Sequence, residues 1–410
     1  MKTHPMISII MPAFNSAETI VEALESVTAQ TLWEVRREML DVRSEAMASH
    51  EAPSAPSTGS GQAGSFDKAQ EGSGQAVKGA KEEYEVIIVD DCSTDNTVEV
   101  VRNWITSHAS LSAGVPRRGA KEESLTPHSS RFTLHILPKN AGPAGARNAG
   151  IAAAKGEWIA FLDSDDAWLP WKLELQLAMA ERYPAVALWG GGSRIIRGNA
   201  PVSQIMGGSG VGEFGDARAV AENSVPIPIS LDDLAFQNQI GTSKVLVKKK
   251  VIEAIGMFDE QFRGPEDYDL WLRIVAGYQA MNIDAELIFY RERSGSLSMD
   301  GRKFLPQVLR VLDKTYGEGG VLEGRGGKRQ ACGYHSLSCA WMAAEQGAVF
   351  GAIVLLIRSL YYWPFPFRSL NGVIPWAHVK VAWRILKQAR RQSGSIFSGD
   401  KHEADNAKAV

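Results

Sequence analysis

Two acidic clusters each follow directly on a short apolar run, and this pattern constrains the fold more than any other feature of the chain. Residues 86–89 run into Asp90 and Asp91, and residues 158–162 run into Asp163. Short apolar runs of this kind are typical of buried strands. Ligands of open α/β sheets bind at the carboxyl ends of the strands, so both clusters are expected at a ligand-binding edge.

Predicted strands alternate with predicted helices along the N-terminal part of the chain. The segments between the apolar runs carry apolar residues at helical spacing. This alternation predicts an α/β fold, doubly wound around a mainly parallel sheet. The strands are expected at residues 7–11, 86–89, 133–137 and 158–162, and the helices at 16–30, about 98–105 and 144–155.

Two segments add length without adding to this pattern. Gly, Ser, Ala, Gln and Pro dominate residues 51–82, where Phe66 and Val77 are the only large apolar side chains. A segment this poor in apolar surface cannot offset the entropy lost when it becomes ordered. We therefore expect a flexible insertion at about residues 33–83, and a second loop insertion at about residues 109–130.

The end of the chain has a different character. The spacing of its apolar residues predicts a small C-terminal helical region at residues 301–395, without strands, and a disordered tail at 396–410. Between Val379 and Arg391, basic side chains interleave with apolar ones. Two interpretations of this stretch remain open: peripheral contact with an anionic membrane surface, or packing on the first domain with solvated charges.

Charge and cysteine content narrow the class of protein. The formal net charge is −3, which argues against nucleic acid as a partner. Cys92, Cys332 and Cys339 match neither a zinc site nor a disulfide framework, which favours a reducing compartment. The N-terminus lacks the features of a signal peptide, and the apolar stretch at 348–357 is too short to span a membrane. A cytoplasmic protein is expected, with a peripheral position on the inner face of the plasma membrane as the alternative.

Three clusters carry residue types suited to phosphate and proton-transfer chemistry. Asp163 and Asp165 offer hard oxygen ligands for a Mg²⁺ or Mn²⁺ ion that holds a diphosphate. Arg147 lies in a helix that follows a Gly- and Pro-containing segment, and helix N-termini and Arg both favour phosphate oxygens. Pro265 begins a helix whose first turn contains Asp267, and partial burial would raise the pKa of this carboxyl toward that of a general base. Loop turns and helix caps remain the structural alternatives.

Six motifs in order make the chain resemble the family 2 glycosyltransferases of the GT-A fold, over about residues 6–300. The resemblance implies a nucleotide-sugar domain at residues 5–300 and a divalent metal, Mn²⁺ or Mg²⁺, as cofactor. The motifs are Ile10-Met11-Pro12-Ala13-Phe14-Asn15, Val89-Asp90-Asp91-Cys92-Ser93-Thr94-Asp95, residues 140–148, Phe161-Leu162-Asp163-Ser164-Asp165-Asp166, Gly256-Met257-Phe258-Asp259-Glu260 and Glu266-Asp267-Tyr268-Asp269-Leu270-Trp271.

The resemblance also implies roles for single residues. Asp267 would be the catalytic base, Glu266 its neighbour in the acceptor site, and Asp165 the metal ligand. Arg293 stands where the family frequently has His, and an Arg cannot ligate a metal but can neutralise a leaving diphosphate. The other positions implied to bind the nucleotide sugar are Pro12, Phe14, Asn15, Asp91, Arg147 and Asp163.

The function that the resemblance implies is inverting transfer of one sugar from a nucleotide-diphosphate sugar, with a uridine nucleotide as the expected donor. The acceptor would be a hydroxyl of a cell-surface polysaccharide or glycolipid, so the expected partners are the donor and a saccharide or lipid-linked acceptor. The processive synthases of the family carry a Gln-x-x-Arg-Trp motif, which this sequence lacks. Transfer of a single sugar is therefore favoured over polymer synthesis.

Two other classes of protein remain alternatives. A non-catalytic module that binds nucleotide sugars would keep Asp91 and Asp165 but would need no acid at position 267. A haloacid-dehalogenase-like phosphatase also has an Asp-x-Asp after a strand, but it has Thr or Val where this chain has Trp168. Transfer or donor hydrolysis above background would exclude the non-catalytic module.

Overall fold

The computed structural model describes residues 6–30, 84–112, 131–198, 201–202, 220–221, 223–292, 300–369, 372–374 and 376–406. The predicted insertion at 33–83 and Arg293 lie outside these residues, as does most of the second predicted insertion. The helix before the second insertion continues to Ser112, so residues 109–112 belong to a helix rather than to the predicted loop.

A mixed β-sheet organises the first domain, and its central part is parallel. Four strands lie in the order β3-β2-β1-β4 and all run in the same direction. The apolar runs of β1, β2 and β4 are nearly continuous because helices cover both faces of a parallel sheet, whereas the edge strand β3 is largely exposed. The strands are β1 (Ile7–Ala13), β2 (Tyr84–Asp90), β3 (Phe132–Ile136) and β4 (Trp158–Phe161).

The other half of the sheet combines both strand directions. Strand β8 is antiparallel to β4 and to β6, whereas β6 and β9 are parallel. Two short strands, β5 and β7, are antiparallel to β9. The predicted α/β class with a mainly parallel sheet is confirmed, and the antiparallel strand β8 adds to it. These strands are β5 (Ala167–Trp168), β6 (Leu188–Arg197), β7 (Ile227–Pro228), β8 (Leu246–Lys248) and β9 (Ala280–Glu292).

Helices pack on both faces of the sheet and contribute to the two larger of three apolar clusters among the described residues. Ile10 and Ile87 belong to the core that contains α3 and α7, whereas Ile9 and Val86 belong to the core that contains α1 and α2. This division follows from the alternation of side chains along a strand. The helices are α1 (Ile20–Thr28), α2 (Thr97–Ser112), α3 (Gly142–Ala153), α4 (Lys172–Arg182), α5 (Leu231–Phe236), α6 (Lys249–Ile255) and α7 (Glu266–Gly277), with a 3₁₀ turn at Thr242–Lys244.

The C-terminal region shares the core of the first domain. Leu305 and Leu355 lie in the same apolar cluster as Phe161 and Trp271, so this region packs on the domain rather than standing apart. None of the helices in the described ranges has the length and apolar character that crossing a bilayer requires. The region contains α8 (Gly301–Tyr316), α9 (Lys328–Glu345), α10 (Val349–Tyr362) and α11 (Ala377–Asn406).

Two features of this region differ from the sequence-based expectation. A short antiparallel hairpin of β10 (Phe367–Ser369) and β11 (Gly372–Ile374) interrupts the helices. Pro364 and Pro366 explain the interruption, because proline cannot continue a helix. In addition, α11 continues to Asn406, so the tail expected to be disordered from residue 396 is helical as far as that residue.

Candidate active site

Asp91 lies at the end of β2 and caps the helix that follows β3. Its two carboxylate oxygens accept hydrogen bonds from the backbone N–H groups of Ala141, at 2.6 Å, and Gly142, at 2.9 Å. Burial raises the pKa of the Asp91 carboxyl, while these two hydrogen bonds oppose the rise. The N-terminus of α3 is thereby held at the carboxyl edge of the sheet.

Asn15 fixes the loop after β1 to the loop after β2. Its backbone adopts a φ of 49°, a left-handed conformation that Asn tolerates better than most residues. The side-chain oxygen of Asn15 accepts a hydrogen bond from the backbone N–H of Thr94 at 2.8 Å. The backbone N–H of Asn15 donates to Ser93 Oγ at 2.9 Å. Pro12 is partly buried and the ring of Phe14 is half exposed beside this junction.

Arg147 joins the acidic cluster after β4 to the first turn of α7. Its Nη2 donates to Asp163 and its Nη1 donates to Glu266, each at 2.7 Å. The residue is 5 % exposed, and its guanidinium lies 5.5 Å from the ring centre of Phe258. Burial alone would lower the pKa of Arg147, but the two carboxylates outweigh it and raise the pKa. Arg147 is thus held between two carboxylates at the sheet edge.

The position of Arg147 depends on close packing of α3 against β1. Gly150 lies one turn further along α3, and a Cβ at this position would stand 2.4 Å from Ile10 Cγ2. Only glycine allows the helix to come this close to the strand. The sequence therefore places the guanidinium between the two acidic clusters by means of a small residue that takes no part in the chemistry.

The acidic cluster after β4 forms a turn in which the three carboxyls have different environments. Asp166 is buried, and its carboxylate accepts hydrogen bonds from Ser243 Oγ at 2.6 Å and from the backbone N–H of Arg291 at 3.0 Å. Burial and the nearby charges of Asp165 and Asp163 raise its pKa well above the usual value. Asp166 therefore ties the turn to β9 and the 3₁₀ turn, whereas Asp163 and Asp165 stay partly exposed.

The donor set at this turn suits a metal ion that is shared with a diphosphate. Within the described ranges, no group of three or more His, Cys, Asp and Glu side chains is arranged to hold a metal ion. Mg²⁺ and similar ions commonly use one or two carboxylates together with substrate phosphates and water. Asp165 is partly exposed and fits that kind of site, whereas the carboxylate of Asp163 beside it is paired with Arg147. The two residues do not fit a site built from protein ligands alone.

Asp267 lies in the first turn of α7 and is partly exposed as a whole residue. Thr242 Oγ1 donates to its Oδ2 at 3.1 Å, and the backbone N–H of Tyr268 donates to its Oδ1 at 2.6 Å. Burial, followed by the charge of Glu266, raises the pKa of Asp267 to about 7, although Arg147 opposes the rise. A carboxylate with this pKa accepts a proton readily near neutral pH, as a general base must.

The other two carboxyls of this helical turn are buried and paired. Glu266 is 3 % exposed and accepts hydrogen bonds from Arg147 and from the backbone N–H of Gly264, at 2.7 Å each. Asp269 forms ion pairs with Arg273 and with Lys314 of α8, at 2.7 Å each. Glu266 is therefore placed to orient Arg147, and Asp269 anchors the C-terminal region to the first domain.

Sequence reasoning missed the 3₁₀ turn at Thr242–Lys244, which contributes to both acidic clusters. Thr242 bonds Asp267 and Ser243 bonds Asp166, as described above. Burial lowers the pKa of Lys244, and the charges of Asp166 and Asp267 oppose this. The turn directly precedes the antiparallel strand β8, so it lies at the edge where the parallel strands end. The sequence signal for this turn is a Thr-Ser-Lys run before an apolar run. That signal places the turn at the ligand-binding edge only if the following strand, β8, is known to be antiparallel.

Comparison with known proteins identifies related sequences along most of the chain. The family described as "Glycosyl transferase family 2" matches residues 74–208, and "Glycosyltransferase like family 2" matches residues 225–315. Succinoglycan biosynthesis protein ExoO of Rhizobium meliloti is 27 % identical over 99 % of this chain and 92 % of its own length. UDP-Glc:alpha-D-GlcNAc-diphosphoundecaprenol beta-1,3-glucosyltransferase WfgD of Escherichia coli is 27 % identical over 54 % of this chain and 70 % of its own length.

Similarity to solved structures is weaker. Mannosyltransferase PcManGT from Pyrobaculum calidifontis, in complex with GDP-Man and Mn²⁺, is 17 % identical with a TM-score of 0.48, covering 95 % of this chain and 87 % of that chain.

Proposed function

We propose a specific reaction on the premise that this chain belongs to glycosyl transferase family 2. The chain transfers one sugar from a nucleotide-diphosphate sugar, most simply a UDP-sugar, to a hydroxyl of a polysaccharide or lipid-linked saccharide. The transfer inverts the configuration of the anomeric carbon. The observation that carries this proposal is the environment of Asp267, a partly exposed residue at the sheet edge whose carboxyl has a pKa raised to about 7 by burial and by the charge of Glu266.

Asp267 acts as the general base in this reaction. Its carboxylate takes the proton of the acceptor hydroxyl, the acceptor oxygen forms a bond to the anomeric carbon, and the bond from that carbon to the diphosphate breaks. The electron pair of the broken bond leaves with the nucleoside diphosphate. Attack on the face opposite the leaving group inverts the anomeric configuration, and general-base help is worth about 10² to 10⁴ in rate.

Arg147 and Glu266 support this step without contacting the reacting atoms. Their ion pair connects the helix that carries Asp267 to the turn that carries Asp163. Precise placement of reacting groups is a large part of catalysis, and a misplacement of about 1 Å is costly. We therefore assign both residues positioning roles, in place of the donor contact expected for Arg147 and the acceptor contact expected for Glu266.

The donor is held by the residues at the ends of β1, β2 and β4. Phe14 and Pro12 contact the base, with Asn15 fixing their loop, and Asp91 accepts a hydrogen bond from uracil. Asp163 contacts the ribose side, and Asp165 would hold a Mn²⁺ or Mg²⁺ ion. The metal, when bound, neutralises charge on the leaving diphosphate. Neutralisation of the same diphosphate by Arg293 is retained as a prediction from the sequence.

The names of relatives support the choice of donor and acceptor. WfgD is named as a glucosyltransferase that uses UDP-Glc and a diphosphoundecaprenol-linked sugar, and ExoO as a succinoglycan biosynthesis protein. Single-sugar transfer to a lipid-linked or growing saccharide agrees with both names and with the missing processive motif. A non-catalytic module is disfavoured because binding alone does not require the raised pKa of Asp267, whereas general-base catalysis does.

The experiment combines purified protein with a panel of nucleotide sugars and lipid-linked saccharides, with and without Mn²⁺. We expect one uridine sugar to give a glycosylated product, and nuclear magnetic resonance of that product to show an inverted anomeric configuration. A retained configuration would contradict the role of Asp267. Absence of transfer and of donor hydrolysis with every donor would contradict the proposed reaction.

A further inference from the structure

Helix α10 is apolar on two opposite faces, and only one of them is buried. The face with Ala352, Leu355 and Ser359 packs into the protein. On the other face, Phe350 is 81 % exposed and Tyr361 is 76 % exposed. A helix that is apolar all round is normally buried on all sides. The exposed apolar side chains of α10 are Phe350, Ile353, Val354, Ile357, Leu360 and Tyr361.

Helix α11 also has one buried apolar face and one exposed face, and its exposed face combines apolar, aromatic and basic residues. Val381 and Ile385 are buried, whereas Trp383, which is 63 % exposed, faces solvent. Val379, Trp383 and Leu386 recur at spacings of three and four residues, so they share one face of the helix. Trp376 precedes the helix and is also exposed. Between Ala377 and Gln392, where the side chains of α11 are described, the exposed basic residues are Lys380, Lys387, Arg390 and Arg391.

The two helices lie side by side in opposite directions. At one end, Ser359 Oγ and His378 Nε2 are 3.0 Å apart, and at the other end Gln392 donates to the carbonyl of Gly347 at 2.7 Å. Their exposed residues therefore belong to one region of the molecule. We call this region the α10–α11 surface, defined as the exposed apolar residues of α10, Trp376, Val379, Trp383 and Leu386, with the four exposed basic residues of α11.

The charge of this region has a single sign. Residues 346–399 contain seven Lys and Arg residues and no Asp or Glu, although the whole chain has a net charge of −3. Arg384 is turned toward α9, since it pairs with Glu345 and lies 4.2 Å from the ring centre of Trp341. Lys387 lies over the ring of Trp383, at 5.2 Å. Lys380, Arg390 and Arg391 are exposed on the same helix as Trp383 and Leu386.

We propose that the α10–α11 surface binds the face of an anionic lipid bilayer without crossing it. Apolar and aromatic side chains enter the boundary between headgroups and acyl chains, and the basic side chains contact anionic headgroups. Trp and Tyr prefer this boundary because their rings are apolar with a polar edge.

A second copy of the chain fits the same surface less well. A two-fold dimer through this surface would place the same basic residues against each other, and like charges brought together oppose association. The bilayer, in contrast, supplies both the apolar layer and the opposite charge. Binding to lipid therefore gives favourable contacts to both the apolar and the basic side chains of this surface. Pairing of two copies gives favourable contacts to the apolar side chains only.

Vesicle flotation with the purified full-length chain tests the proposal. We expect the chain to float with vesicles of phosphatidylcholine and phosphatidylglycerol, to stay behind with phosphatidylcholine alone, and to be released by high salt. The triple variant Lys387→Glu, Arg390→Glu, Arg391→Glu should weaken binding by about tenfold or more, because it replaces three side chains that attract anionic headgroups with three that repel them. The matched control Arg102→Glu, Lys155→Glu, Lys250→Glu reverses exposed charges elsewhere and should bind as the parent does.

A second variant separates apolar insertion from charge attraction. Phe350→Ser with Ile357→Ser should weaken binding to the same anionic vesicles, whereas Val225→Ser with Val321→Ser, at exposed sites elsewhere, should not. Thermal melting checks that all variants fold as the parent does. The proposal is overturned if the parent does not bind anionic vesicles, or if the triple variant binds them as well as the Arg102→Glu, Lys155→Glu, Lys250→Glu control does. The proposal is also overturned if the parent does not bind vesicles, light scattering shows that the parent is a dimer, and both surface variants are monomers.

Discussion

Glu266 accepts a 2.7 Å hydrogen bond from Nη1 of Arg147, 119 residues earlier in the chain. The other terminal nitrogen of the same guanidinium donates to Asp163. One buried side chain therefore connects the turn proposed to hold the donor with the helix proposed to carry the base. This connection sets both the distance between the two clusters and the charge that acts on Asp267, and these two effects can be measured separately.

Replacement of Arg147 should cost stability because it leaves two carboxylates without their partner. We expect Arg147→Met to lower the free energy of unfolding by about 3 to 5 kcal/mol, the usual cost of breaking a buried ion pair. Arg147→Lys keeps the charge and should cost less. Denaturant unfolding measures both, with Arg102→Met, at an exposed site, as the control. Equal stability of Arg147→Met and the control would show that the bridge is not formed in solution.

Glu266→Gln should shift the pH dependence of catalysis to lower pH. The charge of Glu266 raises the pKa of Asp267, so its removal lowers that pKa. The base works only when ionised, and activity is lost as pH falls through its pKa. The acid limb of kcat/KM against pH reports the free enzyme and is expected near pH 7 in the parent. It should therefore move down in this variant. A limb that stays in place would mean that another group controls it.

The sequence predicted where this site lies better than it predicted the burial and the bonding partners of the residues in it. Acidic residues after two strands were enough to place Asp91 and Asp163 at one sheet edge, because strand direction alone determines where carboxyl ends lie. The burial of Glu266 and Arg147 was not predictable, since it depends on how closely α3 approaches β1 at Gly150. The same limit applies to Asp166, whose partners Ser243 and Arg291 are distant in sequence.

Asp267→Asn should stabilise the fold at high pH. The pKa of Asp267 is about 7 in the folded chain and near 3.9 in an unfolded one. Its contribution to stability is therefore full below about pH 4 and is lost as pH rises through about 7. The variant should exceed the parent by about 1 to 3 kcal/mol at pH 8, and the difference should vanish near pH 4.

Thermal unfolding across pH measures this stability difference, with the exposed Asp232→Asn as a control that should show none. A difference between Asp267→Asn and the parent that does not change with pH would contradict the raised pKa. A gain in stability together with a loss of activity is the expected signature of a residue kept for function.

Removal of metal should stop transfer if Asp165 holds an ion shared with the donor. We expect a chelator to abolish activity and Mn²⁺ or Mg²⁺ to restore it. Asp165→Asn should need more metal for half-maximal rate, whereas the exposed Asp284→Asn should behave as the parent does. Initial rates over a metal titration measure this. Full activity in the presence of the chelator would contradict the metal role.

Asp269 should matter for stability and not for proton transfer. Asp269→Asn weakens the ion pairs to Arg273 and Lys314, and we expect a loss of about 3 kcal/mol because the carboxylate is buried. The acid limb of the pH profile should stay where it is in the parent. A shifted limb without a loss of stability would place Asp269 in the site instead. The sequence motif alone could not separate Asp269 from Asp267, because both lie in the same helical turn and only their partners differ.

The most direct test of the proposed base is the turnover of Asp267→Asn beside its affinity for donor. Asn has the same shape as Asp, so donor binding measured by calorimetry should stay within about twofold, while kcat should fall by about 10² to 10⁴. Asp232→Asn serves as the control for loss of a single surface charge. Turnover equal to that of the parent would contradict the assignment of Asp267 as the base.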